Sequence, residues 1–430
     1  MPIKKNSLEK IISHNYYLLF FFLLYLTVLI GFYFDEDNLG GAILDSTYHF
    51  KISEEFNKSF SHTFQNFGDP EKNLATRNSP VFWVFLSFFE KYLSYDFIRF
   101  FNTLIIFAIA IIFYKSLLLK FKEVKSYHLL ILSSFIFLSP SLRSLAIWPY
   151  SLIWGIFFFT LSIFYYLKFK DNLNFNKSFI ILFNVIIAAY IYPAFSVFYL
   201  FYFLQIVKKI KKIECFKLLF FSFLLSIPCI LYLFSKDINT IFIGTQGLVD
   251  ISLHKSLNIS NKLLIISSIF LYLILPIINF KEIFLKIKNI SNLKILFLIL
   301  FCFINIYFFN FPHEKWGGGF FHKLSNLFFK NNYLFFFSAF VSILTIYVLT
   351  DKKFQNYLIL IILILYNPQL TIYIKYFDPL IFITFLTLFD FDLKKHFVNK
   401  TYKYYQFYGV IIFYYIAVYL KKIFFIEHLS

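Results

Sequence analysis

The sequence predicts an all-α polytopic membrane protein with about 11–13 transmembrane helices and interfacial helices in its first extracytoplasmic loop. Three observations carry this expectation. The 430 residues are 60% apolar and 24% aromatic, with 68 Phe and only 15% charged side chains, against about 25% charged in soluble domains. The mean hydropathy is +0.71. Apolar runs near 20 residues recur along the whole length, and helices satisfy every backbone group inside the segment that crosses the bilayer. The excess of Phe, Ile, Lys and Asn also fits AT-rich coding and carries no functional weight.

In chain order the spans are 16–34, 97–118, 128–140, 146–167, 178–191, 194–207, 216–234, 263–279, 293–311, 332–350, 356–367, 371–389 and 405–420. The short ones pair across Pro or polar breaks, at SPSLR (139–143), YP (192–193) and NPQ (367–369). Each pair is either a hairpin or a broken helix, which gives the range in the count. Lys4, Lys5 and Lys10 precede a first span too long for a signal peptide, so a retained first helix is expected. No repeat of 20–50 residues is visible, and one integral membrane domain over 1–430 is expected.

Basic residues set the orientation. With the N-terminus in the cytoplasm, the inside segments hold 22 Lys and Arg and the outside ones 14. The formal net charge of +18 therefore marks the cytoplasmic face of a cell inner (cytoplasmic) membrane rather than a nucleic-acid surface. Cys215, Cys229 and Cys302 lie in or beside apolar runs without CxxC spacing, which supports neither a disulfide framework nor a zinc site.

The first outer loop, 35–96, is acidic at its start, where Asp35, Glu36 and Asp37 follow the first span directly. Tyr48, Ile52, Phe56 and Phe60 recur every fourth residue, with His49, Glu54 and Lys58 off the stripe, as an amphipathic helix at the interface requires. Residues 80–93 are apolar, but at about 1.5 Å per residue too short to cross. Ser79 and Pro80 supply a cap and a first-turn proline. A second loop, 312–331, sets His313, Glu314, Lys315 and Trp316 before Gly317-Gly318-Gly319, with His322 beyond.

Asp35-Glu36 at the loop start, TRNSPVFWVFLSFFEKYLSYDFIRFFNTLIIF at 76–107 (with Arg77, Ser79-Pro80, Arg99 and Asn102), LSPSLRSLAIWPYSLIWGIFFFTLSIF at 138–164 and YIKYFDPLIFI at 373–383 together resemble the GT-C superfamily of membrane glycosyltransferases, the mannosyl- and arabinosyltransferase type. The likeness covers about the first 210 residues and one late helix, in patterns of position rather than strings. It implies transfer of a sugar from a polyprenyl-phosphate carrier to a lipid-linked or cell-envelope glycan acceptor on the outer face, by single displacement with inversion. Two features depart from the family. Three acids stand in a row before Gly40-Gly41 and a second D-x-x-x-H motif, which leaves the catalytic acid open among Asp35, Glu36, Asp37 and Asp45. The soluble C-terminal domain of many members is expected to be missing, so the acceptor is unconstrained.

That chemistry needs a carboxylate base at the acceptor hydroxyl, cations for the leaving phosphate and an aromatic-lined groove for the polyprenyl tail. Asp35, Glu36 and Asp45 are the catalytic candidates, and Asp37 reads as a solvated loop acid. Asp45 and His49 share a face if 42–60 is helical. A base with its orienter, a cation site and an i,i+4 surface pair all fit them. Arg77, Arg99, Arg143 and Lys375 are the phosphate candidates. Arg99 also reads as an interfacial anchor, and Lys375 also reads as snorkelling or pairing with Asp378. His313 and Trp316, before a glycine hinge, read as a sugar-stacking loop or an interfacial anchor. No cofactor is expected; a divalent cation at Asp35, Asp45 and His49 is compatible but not required. The expected partners are the lipid bilayer, the polyprenyl-phosphate-linked donor and the glycan or lipid acceptor, with no nucleic acid. Rival readings are a lipid-linked oligosaccharide flippase or other transporter, an O-antigen polymerase-like protein, and a scaffold. A transporter would set charges at span midpoints in two similar halves. A polymerase would carry its large loop late and basic.

Overall fold

The computed structural model describes residues 5–37, 42–69, 72, 74, 79–235, 258–311, 317–350, 353–366 and 372–393, and nine positions between 405 and 417. Among the described residues up to 393 are eighteen α-helices, the nine positions between 405 and 417 are also helical, and the described residues hold no strand. In chain order they are α1 Lys5–Tyr33, α2 Ala42–Lys58, α3 Phe60–Asn66, α4 Val81–Glu90, α5 Tyr95–Lys120, α6 Ser126–Ser134, α7 Pro140–Ile147, α8 Ser151–Phe169 and α9 Phe175–Ile191. There follow α10 Val197–Val207, α11 Lys212–Ser235, α12 Ile259–Ile274, α13 Phe280–Lys288, α14 Asn292–Tyr307, α15 Gly319–Phe329, α16 Tyr333–Thr350, α17 Phe354–Leu365 and α18 Ile374–Thr387.

Five of these contain stretches long and apolar enough to cross a membrane: Tyr16–Tyr33, Tyr95–Lys120, Ser151–Phe169, Lys212–Tyr232 and Tyr333–Thr350. Two bent pairs raise the number to seven if each is one span: 126–137 with α7, bent by 61°, and α13 with α14, bent by 113°. The runs expected at 178–191, 194–207, 263–279 and 356–367 form apolar helices of 10–17 residues. The run at 405–420 lies largely outside the described residues. Apolar side chains point outward from α1 (Leu19, Phe22, Leu26, Ile30), α11 (Phe216, Phe220, Phe223) and α14 (Phe297, Phe303). Faces of this extent are unstable in water and match a bilayer, so the chain is a multi-pass helical membrane protein.

The main core runs through α5, α8, α10 and α18, with Ile106, Ile109, Phe113, Phe159, Phe198 and Phe382 packed together. A second, smaller core holds α2, α3 and α4 as a cap. Phe50, Ile52, Phe56, Phe67, Phe82, Trp83 and Leu86 meet there and join α5 and α9 through Ile98 and Ile191. The expected amphipathic helix over 42–60 breaks at Ser59, and Phe60, exposed, starts α3. The stripe also differs. Ile52 and Phe56 are buried as expected, but so are Ser46, His49, Phe50 and Ser53, because α2 is covered by α4 on a second face. Ser79 Oγ accepts from Val81 N at 3.3 Å, at the start of α4.

Trp83 is fully buried in a core of few residues. Trp83→Ala is expected to lower stability by about 3–5 kcal/mol, read as thermal unfolding in detergent, and Phe60→Ala by less than about 0.5 kcal/mol.

Candidate functional site

Five segments converge at one end of the bundle: the end of α1, the start of α2, the start of α5, the α7–α8 corner and the start of α18. Helix α7 organises them. Arg143, one of the phosphate candidates, sits in this helix with its side chain 4% exposed. Its Nε donates to Glu36 Oε1 at 2.7 Å and its Nη2 to Oε2. The remaining donors reach Thr27 Oγ1 at 2.7 Å, Thr27 O at 2.8 Å and Phe137 O at 3.1 Å. A side chain at Gly31 would run into the Glu36 carboxylate and the Arg143 guanidinium, so only glycine lets α1 approach this closely. Glu36 is thus a buried, bidentate partner, and neither it nor Arg143 is open to substrate.

The two ends of α7 are also held. Asp378 Oδ2 accepts from Ser139 Oγ at 3.1 Å and Ser141 Oγ at 3.2 Å, which places an anion at the N-terminus. At the C-terminus Asn102 Nδ2 donates to Leu145 O and Ala146 O at 2.8 and 2.7 Å, and Arg99 Nε to Ile147 O at 3.4 Å. Arg99 and Asn102 therefore cap the otherwise unpaired carbonyls of α7.

Asp35 follows α1 in a left-handed backbone conformation (φ 51°), which Asp tolerates better than most residues. Its Oδ1 accepts from Arg99 Nη2 at 2.6 Å, and 61% of the side chain stays exposed. The Arg99 guanidinium lies 3.8 Å over the Trp148 ring, and Trp148 Nε1 donates to Glu36 O at 3.0 Å. Asp37, expected as a solvated loop acid, is buried, and its Oδ1 accepts from Ala42 N at 3.3 Å, at the first residue of α2.

The second carboxylate pairs across 330 residues. Asp45 Oδ2 meets Lys375 Nζ at 2.7 Å, with side chains 42% and 18% exposed. Lys375 thus pairs with Asp45, while Asp378 turns to Ser139 and Ser141. The ammonium lies over Tyr150, Tyr373 and Tyr376 at 5.2, 5.5 and 5.6 Å, an aromatic enclosure for a cation. His49 is buried, stacked on Tyr150 (4.8 Å) and edge-on to Trp83 (4.9 Å). Burial pushes its imidazole down to about 4, with Lys375 acting in the same sense and Asp45 against it. Among the described residues its Nδ1 has no hydrogen-bond partner. Its ring is packed between Tyr150 and Trp83. Among the described residues no three His, Cys, Asp or Glu side chains are grouped to hold a metal ion.

Tyr95 links the two carboxylates: its ring lies 5.8 Å from the Arg99 guanidinium, and its hydroxyl is 3.1 Å from Ser46 Oγ, beside Asp45. One turn along α5 from Arg99, Asn102 Oδ1 accepts from Trp154 Nε1 at 2.9 Å. Trp154 lines an apolar groove of about 360 Å³ with Phe82, Phe85, Phe158, Ile187 and Tyr190. Arg77, His313 and Trp316 lie outside the described residues. The chain resumes at Gly317 (φ 96°), and Gly318 N donates to Ile372 O at 3.1 Å, just before α18. His322 is enclosed by Phe309, Phe311 and Phe335. Sequence reasoning missed Trp148, Tyr150 and Tyr95; the one available signal was WPY at 148–150, aromatic residues flanking a proline at a helix break.

A scan against protein-family models, a search of curated proteins and a search of solved structures each return no match.

Removing one partner of a buried pair strands the other charge, at roughly 3–5 kcal/mol, whereas replacing both with apolar residues is often neutral or better. Arg143→Met and Glu36→Leu are each expected to destabilise, and the double variant to recover most of the loss, read as unfolding midpoints. His49 supplies a pH signature. From about pH 6.5 to 4 the unfolded chain binds a proton there that the folded chain refuses, so stability falls as pH falls through that window. His49→Phe is expected to flatten that slope relative to the native chain.

Proposed function

We propose that the chain is a membrane glycosyltransferase that moves a sugar from a polyprenyl-phosphate carrier to a glycan or lipid acceptor at the extracytoplasmic face, with the N-terminus in the cytoplasm. The observation that carries the reading is one juxtaposition: an exposed, oriented carboxylate (Asp35 on Arg99), a cation held in aromatic rings (Lys375) and an apolar groove that starts one helical turn from Arg99. A base, a phosphate partner and a place for an isoprenoid tail are the three needs of this transfer. The resemblance to GT-C glycosyltransferases supports it through Arg99, Asn102 and the late Lys375. The cap of α2, α3 and α4 corresponds in this reading to interfacial helices of the outer loop.

Asp35 takes the proton of the acceptor hydroxyl while that oxygen attacks the anomeric carbon. The bond from this carbon to the phosphate oxygen breaks, and polyprenyl phosphate leaves with its charge met by Lys375. Arg99 orients Asp35. Asp45 occupies Lys375 until phosphate displaces it, so Asp45 tunes carrier binding rather than taking the proton. Glu36 acts as scaffold. Single displacement with inversion is what the resemblance implies.

Sugar transfer from polyprenyl-phosphate-linked donors in proteoliposomes tests the reading. Asp35→Asn keeps the size and tolerates the left-handed backbone, and it is expected to lower transfer by about 10²–10⁴-fold. Lys375→Ala is expected to raise the KM for donor at least tenfold, and Asp45→Asn to leave kcat within tenfold. Full transfer by Asp35→Asn would remove the site assignment.

A further inference from the structure

A second cleft, of about 380 Å³, lies beside Tyr95, between α2, α4 and the start of α5. Phe50, Tyr95 and Leu93 form its apolar wall, and Glu54, Asn57 and Glu90 its polar one, with Lys58 among its lining residues. Phe50 and Tyr95 pack edge to face at 4.1 Å. On the polar wall Asn57 Nδ2 donates to Glu90 Oε2 at 3.2 Å, while Glu90 Oε1 and Asn57 Oδ1 are buried with no hydrogen-bond partner among the described residues. The Ser53 hydroxyl is near enough to favour the Glu90 carboxylate but likewise makes no hydrogen bond. Unsatisfied buried acceptors are unfavourable unless a donor arrives.

We infer that this cleft binds a neutral saccharide, whose hydroxyls donate to Glu90 and Asn57 and whose apolar ring face lies on Phe50 and Tyr95. A hydroxyl-rich ring supplies several donors at once and has a CH face to set against aromatic rings. A bare cation would suit the oxygens but not the aromatic wall or the volume. This inference rests on the transfer reading for its biological role: Tyr95, which lines the cleft, reaches Ser46 Oγ beside Asp45 with its hydroxyl, and on that reading the saccharide is the acceptor. Burial, aided by the Glu54 charge, pushes the Glu90 carboxyl up to about 7, against the nearby Ser53 hydroxyl and the hydrogen bond from Asn57. Other charged or titratable groups facing it are Lys58 on α2 and Tyr95 on α5. The acceptor form is the carboxylate, so affinity rises as pH passes upward through about 7.

Saturation-transfer NMR on the full chain in nanodiscs, with the methyl glycosides of mannose, glucose and galactose as probes, tests the inference. At least one glycoside is expected to bind. Glu90→Gln and Asn57→Ala are each expected to weaken binding at least tenfold, and Glu90→Gln to remove its rise between pH 6 and 8. Glu54→Gln, a milder change on the same wall, is expected to weaken it several-fold and keeps the test decisive if a Glu90 variant fails to fold. Asp35→Asn is expected to bind like the native chain, which separates a failure of the cleft from a failure of the transfer chemistry. No binding of any glycoside, binding indifferent to Glu90 and Asn57, or a Glu90-dependent response to Ca²⁺ alone would overturn it.

Discussion

The buried pair between Glu36 and Arg143 is the interaction on which the rest of this end of the molecule depends. Its guanidinium has each of its three nitrogens committed, to a carboxylate, a hydroxyl and two backbone carbonyls on α1 and before α7. Such a pair holds only with full hydrogen bonding, since the desolvation of both ions must be offset. It fixes where the chain turns as it leaves α1. The neighbours of Glu36 then have no choice of direction: Asp35 projects outward onto Arg99, and Asp37 inward to the start of α2. One buried acid thereby orients two others.

Helix α7 carries that constraint to the distant parts of the chain. Asp378 at one end ties it to α18, and Arg99 with Asn102 at the other ties it to α5. Lys375 precedes Asp378 by one turn, so anchoring Asp378 holds Lys375 at the mouth of the site, where Asp45 reaches it. Far along the same two helices, Lys120 of α5 donates to Leu386 O at 3.1 Å and to Phe389 O near the end of α18. Both ends of α5 and α18 are therefore fixed to each other, directly or through α7. The cap of α2 to α4 sits on this frame with its own small core.

Much of the fold was legible because its signals are local. Apolar runs mark helices without any knowledge of their neighbours, and α1, α5, α11 and α16 fall within a few residues of the expected spans except where α1 extends toward the N-terminus. SPSLR marked an interruption of the chain, left open as a hairpin or a broken helix; the bend falls just before it, and Pro140 to Arg143 open α7. The partner of each site residue was not. Glu36 with Arg143 and Asp45 with Lys375 are separated by 107 and 330 residues, and helix periodicity says nothing about which helices meet. Nor could a stripe on α2 show that His49 would be covered, since the covering surfaces, Tyr150 and Trp83, come from elsewhere. In sequence the acids after the first span separated only into two catalytic candidates, Asp35 and Glu36, and a loop acid, Asp37. Burial separates them into one buried anchor, one helix-start acceptor and one exposed carboxylate.

The central claim is that the α1–α5–α18 end of the bundle receives a polyprenyl phosphate with its tail against Trp154 and its phosphate at Lys375. A cryo-electron microscopy structure of the chain in nanodiscs saturated with a short polyprenyl phosphate tests this most directly. The phosphate is expected within hydrogen-bond distance of Lys375, with Asp45 displaced from it and isoprenoid density along Phe82, Phe85, Trp154 and Phe158. Lipid density confined to another face, with the Asp45–Lys375 pair intact, would contradict it.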